Sequence, residues 1–232
     1  MATILITGAN RGIGLELTKR YATAGHRVMA CCRAPAEADV LNDLAANHDT
    51  VSVHALEVSD GDSVAALGAA VAGTPIDILI NNAGMSPPRE AQTLMNMDYD
   101  AWGEAFAVNA MAPLRVLQAL LPNLKLSEAT PPKAITISSQ MGALSLNWPV
   151  AYAYCSSKAA VNKVMRMASE ELKADGIAVG IIHPGWVQTD MGGPKAAITV
   201  DQSASGIIEV IDALDMDSTG FFRTWDGKDH EW

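Results

Sequence analysis

Thr7-Gly8-Ala9-Asn10-Arg11-Gly12-Ile13-Gly14 separates the apolar run Thr3 to Thr7 from a helical pattern that runs from Gly14 to Ala24 and is closed by Gly25. A glycine-rich turn between a first strand and a first helix gathers backbone N–H groups at a helix N-terminus, the place where a dinucleotide pyrophosphate is held. The spacing is GxxxGxG rather than GxGxxG, so the octet alone also fits a plain tight turn. The rest of the chain decides between them. Apolar runs at Arg27 to Cys32, Val51 to Val58, Ile76 to Ile80, Lys133 to Ser138, Ala178 to His183 and Gly220 to Thr224 alternate with helical stretches. Those stretches are Ala36 to Asn47, Asp62 to Ala72, Asp100 to Leu121, Tyr152 to Ala174 closed by Gly176, and Val200 to Leu214. Continuously apolar strands are buried on both faces, and strand-helix alternation implies right-handed crossovers.

The pattern predicts an α/β fold: a single doubly wound Rossmann-type domain over 1–232, with a seven-stranded parallel sheet and helices on both faces. No repeat, low-complexity tract or linker breaks it. The 232 residues are 49% hydrophobic with mean hydropathy +0.13, which is enough core to fold without disulfides or metal. Sixteen basic against 26 acidic residues give a formal charge of −10, which repels nucleic acid and acidic membrane surfaces. Neither is expected as a partner. Cys31, Cys32 and Cys155 form no metal-ligand pattern, so no metal is expected, and they suit a reducing cytoplasm. The N-terminus carries no basic leader, and the longest uncharged run, Ala134 to Ser157, holds Ser138, Ser139, Gln140, Asn147 and Pro149. It does not read as a membrane span, and a cytoplasmic protein is expected.

The second strand ends Ala30-Cys31-Cys32-Arg33, without the acidic residue that grips ribose hydroxyls in NAD-selective folds. Arg33 and Arg11 instead suggest a 2′-phosphate held by charge-assisted hydrogen bonds, although solvated surface arginines would look the same.

Asn81-Asn82-Ala83-Gly84 after the fourth strand, the TGANRGIG turn, Asn109, Ser138-Ser139, Tyr154-Cys155-Ser156-Ser157-Lys158 and Pro184-Gly185 occur in one order. Together they resemble the short-chain dehydrogenase/reductase family over the whole chain. The segment Pro184 to Gly193 and the ending Trp225-Asp226-Gly227-Lys228 resemble its C-factor and sniffer-type carbonyl reductase branch. The resemblance implies hydride transfer between a nicotinamide and a carbonyl or alcohol carbon, with Ser139, Tyr154, Lys158 and Asn109 as the catalytic set. It implies cofactor contacts from Gly8, Asn10, Arg11, Gly12, Ile13, Gly14, Arg33, Glu57, Val58, Asn81, Ala83, Gly84, Tyr154, Lys158, Pro184, Gly185, Val187 and Thr189. The two arginines make NADPH the expected cofactor in preference to NAD.

Tyr154 and Lys158, four apart on a helix, share a face, so the ammonium is placed to lower the phenol pKa and hold the nicotinamide ribose. Ser139 is placed to hydrogen-bond a substrate oxygen gaining negative charge. Asn109 resembles the family residue that bends its helix and holds a water linking the lysine to solvent. Two features depart from the family pattern. Ser139 to Tyr154 is 15 residues rather than 13, and although Tyr152 has the usual spacing, Ser156 follows it where a lysine is required. The reading therefore takes Tyr154 and puts the two extra residues in the loop Gly142 to Val150. Glu57-Val58 stands where the family commonly has Asp-Val beside the adenine.

Gln140, Met141, Trp148, Trp186 and Met191 are candidates for an apolar substrate wall, and ordinary packing accounts for each equally well. His183 before Pro184 reads as structural rather than as a base. The expected activity is NADPH-dependent reduction of a small-molecule ketone or aldehyde. The helices Asp100 to Leu121 and Tyr152 to Ala174 resemble those that pair in family homodimers and homotetramers, but they carry no readable interface signature and the oligomeric state is left open. The alternative is a nucleotide-binding signalling or redox-sensing protein of C-factor type with little or no turnover.

Overall fold

The computed structural model describes residues 1–232. Nine strands form, β1 (Thr3–Thr7), β2 (Arg27–Cys32), β3 (Val51–Ala55), β4 (Ile78–Asn81), β5 (Gln92–Thr93), β6 (Asn96–Met97), β7 (Lys133–Ile137), β8 (Ala178–His183) and β9 (Phe221–Thr224). Seven of them make one parallel sheet in the order β3-β2-β1-β4-β7-β8-β9. The order reverses between β1 and β4, so a crevice opens beyond their C-terminal ends, where Gly8 and Asn82 stand. Helices α1 (Gly12–Thr23), α2 (Asp39–Asn47) and α7 (Val200–Asp212) bury Leu17, Leu41 and Ile207 on one face. On the other face, α3 (Gly61–Ala70), α5 (Ala112–Lys125) and α6 (Tyr152–Leu172) bury Leu67, Leu120 and Met165. Alternate β8 residues serve opposite cores, Val179 and Ile181 toward α6, Ala178 and Ile182 toward α7. This is the doubly wound, seven-stranded architecture that the sequence pattern predicts.

The differences are local. The third strand stops at Ala55 rather than Val58, because the Glu57 N–H turns to Ser63 Oγ at 2.9 Å instead of a neighbouring strand. The expected helix Ala36 to Asn47 is a separate 3₁₀ turn, Pro35–Glu37, followed by α2, with Ala38 at φ −97 and ψ 57 interrupting the helix. The long fourth helix divides into α4 (Tyr99–Phe106), a π-helical turn at Ala107–Met111, and α5. Pro113 has no N–H to return to the Asn109 carbonyl, so the ordinary i→i−4 ladder cannot pass this point and the helix widens. Tyr99–Lys125 has the length and hydropathy of a membrane span, but Val116, Leu117, Leu120 and Leu124 are buried in the core. The small antiparallel hairpin of β5 with β6 was not expected, its arms being too short for a two-residue alternation to register.

Candidate active site

The crevice is shaped by contacts that only small residues permit. Thr7 Oγ1 accepts from the Asn82 and Ala83 N–H groups, both at 3.0 Å, and Asn82 Nδ2 donates to the Thr7 and Gly8 carbonyls at 2.9 and 3.0 Å. These bonds lock the ends of β1 and β4 together. Gly8 has φ +66, and a Cβ there would stand 2.9 Å from Ala83 Cα; one on Gly14 would stand 2.2 Å from the Gly8 carbonyl oxygen. Helix α1 begins after Arg11 with extended backbone, no side-chain cap and no acidic residue in its first turn. Its first N–H groups and the positive end of its dipole are therefore left for an external anion.

The segment after β8 comes back over this turn. A Cβ on Gly12 would lie 3.3 Å from Thr189 Cγ2, and Arg11 Nη1 meets Asp190 Oδ2 at 3.0 Å. Ser203 Oγ donates to the Pro184 carbonyl at 2.7 Å, and Val187 is buried beside Ile198, so Pro184, Gly185, Val187 and Thr189 are fixed above the crevice. Arg33, 72% exposed at the end of β2, faces Glu57 at 4.0 Å. Glu57 Oε1 accepts from Ser59 N–H and Oγ, while Val58 is buried. Asn81 is buried with its amide donating to the Pro113 carbonyl, which leaves only its backbone toward the crevice.

Ser139, two residues beyond the end of β7, opens a 3₁₀ turn, Gln140–Gly142, with its Oγ accepting from Met141 N–H at 3.1 Å. Gly142 lets this turn rest on the backbone of α6: a Cβ would stand 2.6 Å from the Lys158 carbonyl carbon. Tyr154 and Lys158 share a face of α6, with Lys158 Nζ 5.9 Å from the Tyr154 ring centre and donating to the Ile137 carbonyl at 2.9 Å. Asn109 Nδ2 donates to the Met85 carbonyl at 2.7 Å and Ser157 Oγ at 3.0 Å, and its Oδ1 accepts from Met85 N–H. A Cβ on Gly84 would be 3.3 Å from Asn109 Oδ1 and 3.6 Å from Lys158 Nζ. Residues from the segments that follow β4 and β7, from the π turn and from α6 thus form one cluster.

Burial governs the ionisation of this cluster. It drives the Lys158 ammonium down to about 8. It pushes the Tyr154 phenol above its ordinary value, with the Ser139 hydroxyl opposing the shift. The expectation that Lys158 holds the phenol below its usual range is not met: loss of water is the largest effect on Tyr154, and the opposing influence comes from the Ser139 hydroxyl rather than from the ammonium. A phenol so raised stays protonated at neutral pH. Tyr152, the tyrosine at the usual spacing, is exposed, and the residue four beyond it, Ser156, donates to the Tyr152 carbonyl and accepts from Trp102 Nε1. His183 is buried with Nδ1 unpartnered, and burial together with His230 lowers it to about 4, so it is neutral and apart from the reacting set.

The chain matches the short chain dehydrogenase family over residues 2–198. It belongs to that family. This short-chain dehydrogenase is 41% identical to the C-signal of Myxococcus xanthus over 159 residues, 68% of this chain and 93% of the relative. Its fold is similar to the NADPH-bound carbonyl reductase from chicken fatty liver, with TM-score 0.92 and 34% identity over 100% of this chain and 99% of that one. It is equally similar to the carbonyl reductase Sniffer of Drosophila melanogaster, with TM-score 0.92 and 30% identity over the full length of both. Those likenesses place it in the C-factor and sniffer-type branch.

The candidates for a substrate wall divide. In this short-chain dehydrogenase a cavity beside α6 is lined by Met141, Leu144, Leu146, Trp148 and Cys155, and by none of Ser139, Tyr154 and Lys158, so it lies beside the reacting cluster rather than at it. Gln140, Trp186 and Met191 do not line it; Trp186 is half exposed and donates Nε1 to the Gly192 carbonyl at 2.9 Å. Sequence reasoning missed Thr7, Asn82, Gly142 and Asp190 as parts of the site. Thr7, Asn82 and Asp190 stand inside the motif stretches quoted from the sequence, so their signal was present without a role being read from it.

Proposed function

We propose that this short-chain dehydrogenase is an NADPH-dependent carbonyl reductase acting on an apolar ketone or aldehyde. The observation that carries this reading is the convergence of Ser139, Tyr154 and Lys158 at the open end of a glycine cradle. Gly8, Gly12 and Gly14 let the glycine turn pack tightly against Ala83, Thr189 and the Gly8 carbonyl, and the uncapped start of α1 that it leads into offers N–H groups to a pyrophosphate, so the residues present fit the dinucleotide. When bound, NADPH supplies the hydride that reduces the carbonyl carbon.

Tyr154 Oη, protonated at neutral pH, gives its proton to the carbonyl oxygen as that oxygen gains negative charge. Ser139 Oγ donates to the same oxygen as negative charge grows there. Lys158, ionising at about 8, carries a proton at neutral pH and helps return one to the phenolate, while Asn109 holds the surrounding backbone through Met85 and Ser157. The product is the alcohol, with one hydrogen on carbon and one on oxygen.

Preference for NADPH over NADH is supported by Arg33 and Arg11 and by the absence of an acidic residue ending β2. Arg11 would divide its guanidinium donors between Asp190 and the 2′-phosphate. Trp186 and Met191, half exposed on the segment that returns over the glycine turn, support an apolar substrate. Pairing of copies is supported by the apolar groove lined by Phe106, Met111, Leu114 and Val164 between the central helices.

The test is NADPH oxidation against aldehydes, ketones, quinones and ketoesters. Tyr154→Phe is expected to abolish turnover with NADPH affinity nearly unchanged, and Tyr152→Phe to keep most of the activity. An inactive Tyr152→Phe beside an active Tyr154→Phe overturns the assignment of the acid. NADPH binding without oxidation of any substrate favours the signalling reading instead.

A further inference from the structure

Helix α6 begins in an unusual way. The residue before it, Ala151, is left-handed at φ 54 and ψ 49 and offers no side-chain cap. By contrast, Asp60, Asp98 and Thr199 cap α3, α4 and α7 locally. Tyr154 is the third residue of α6, where the N–H has no partner within a helix. Its partner arrives from 62 residues upstream: Gln92 Oε1 accepts from the Tyr154 N–H at 3.0 Å. Gln92 is wholly buried, and its Nε2 donates to the Pro87 carbonyl at 2.5 Å and Ser86 Oγ at 3.2 Å. An amide held on its nitrogen side by two acceptors cannot turn, so its oxygen is presented to α6 in one orientation.

We propose that Gln92 is a positioning residue for the reacting phenol. It replaces the missing local cap, fixes the first turn of α6, and so sets where Tyr154 Oη stands relative to Ser139 and Lys158. The inference rests on the reading of Tyr154 as the acid. A first turn without a cap frays, and a displacement of about 1 Å at a reacting group is enough to cost on the order of a hundredfold in rate. The groups that act on the phenol are Lys158 and Cys155 on its own helix and Ser139 across from it, and the substitutions leave all three in place.

The experiment compares Gln92→Met, which keeps the length and removes the acceptor, with Gln92→Glu, which keeps an acceptor for the Tyr154 N–H. Thr93→Ala, on the same hairpin, is the control. Turnover is measured with its solvent isotope effect, and the Tyr154 phenol is titrated by carbon NMR on ring-labelled tyrosine, its signal assigned by loss in Tyr154→Phe. Gln92→Met is expected to lower kcat about tenfold or more with the KM for NADPH within about twofold. Its isotope effect should grow, and the Tyr154 titration should move down toward that of an exposed tyrosine as water reaches the loosened turn. Gln92→Glu should fall between Gln92→Met and the unmodified protein. Unchanged kcat, isotope effect and titration in Gln92→Met overturn the proposal, as do equal losses in both variants that follow only a lower Tm. If the unmodified protein reduces no carbonyl, the proposed function fails by itself, and the Tyr154 titration still decides for or against Gln92.

Discussion

Lys158 is a cation kept where water does not reach it, only 4% exposed and ionising at about 8. Holding a charge there, against about 10.4 for a free lysine, costs about 3 kcal/mol at neutral pH. The unfolded chain holds this proton more tightly between pH 8 and 10.4, so the cost is fully present below pH 8 and disappears as pH rises through that window. Lys158→Met removes the charge and also the bond to the Ile137 carbonyl, worth about 1 kcal/mol. The variant is expected to be inactive yet more stable by about 2 kcal/mol at pH 7, raising Tm by about 4–8 °C. Melting curves at pH 7 and pH 9.5 check this, because the advantage should shrink at the higher pH. A destabilised Lys158→Met at pH 7 would show that the ammonium is better compensated than its burial implies.

Among the elements, the 3₁₀ turn Gln140–Gly142 and α6 meet more closely than any β-carbon allows. Gly142→Ala would set its methyl 2.6 Å from the Lys158 carbonyl carbon and 2.8 Å from Ala159 N, so the turn must lift and carry Ser139 with it. Overpacking of this kind costs about 1–3 kcal/mol. Because the strain falls on the serine and not on the glycine cradle, kcat is expected to fall about tenfold or more with NADPH affinity unchanged. Gly103→Ala in α4 is the counterpart: open space surrounds that position, and the substitution should stabilise by about 0.5–1 kcal/mol without touching turnover. Calorimetry and steady-state kinetics on the two variants separate packing from propensity. The π turn at Ala107–Met111 belongs to this scale too, since Pro113 was visible in the sequence and its missing N–H accounts for the break in the ladder.

Cofactor choice belongs to the whole molecule, because the residues that would hold a 2′-phosphate come from two turns brought together by the parallel pairing of β1 and β2 and by the bond from Ala9 N–H to the Cys31 carbonyl. Arg33→Asp is expected to shift the ratio of kcat/KM for NADPH over NADH by about tenfold or more toward NADH, through one lost attraction and one added repulsion. Equal kcat/KM values for the two cofactors in the unmodified protein would defeat the assignment of Arg33. The sequence alone determined the strand-helix alternation, the glycine turn, and the placing of Tyr154 and Lys158 on one helical face. These are local regularities with periods of two and 3.6 residues, and neighbours along the chain carry them whole. Only the tertiary structure decided that Gln92 caps the helix of Tyr154, that Asp190 reaches Arg11 across 179 residues, and that the Asn109 amide is spent on Met85 and Ser157. It also reversed the expected direction of the phenol pKa. Such contacts depend on where distant segments return, and the desolvation of Tyr154 and Lys158 is set by everything packed around them, which no spacing along the chain encodes.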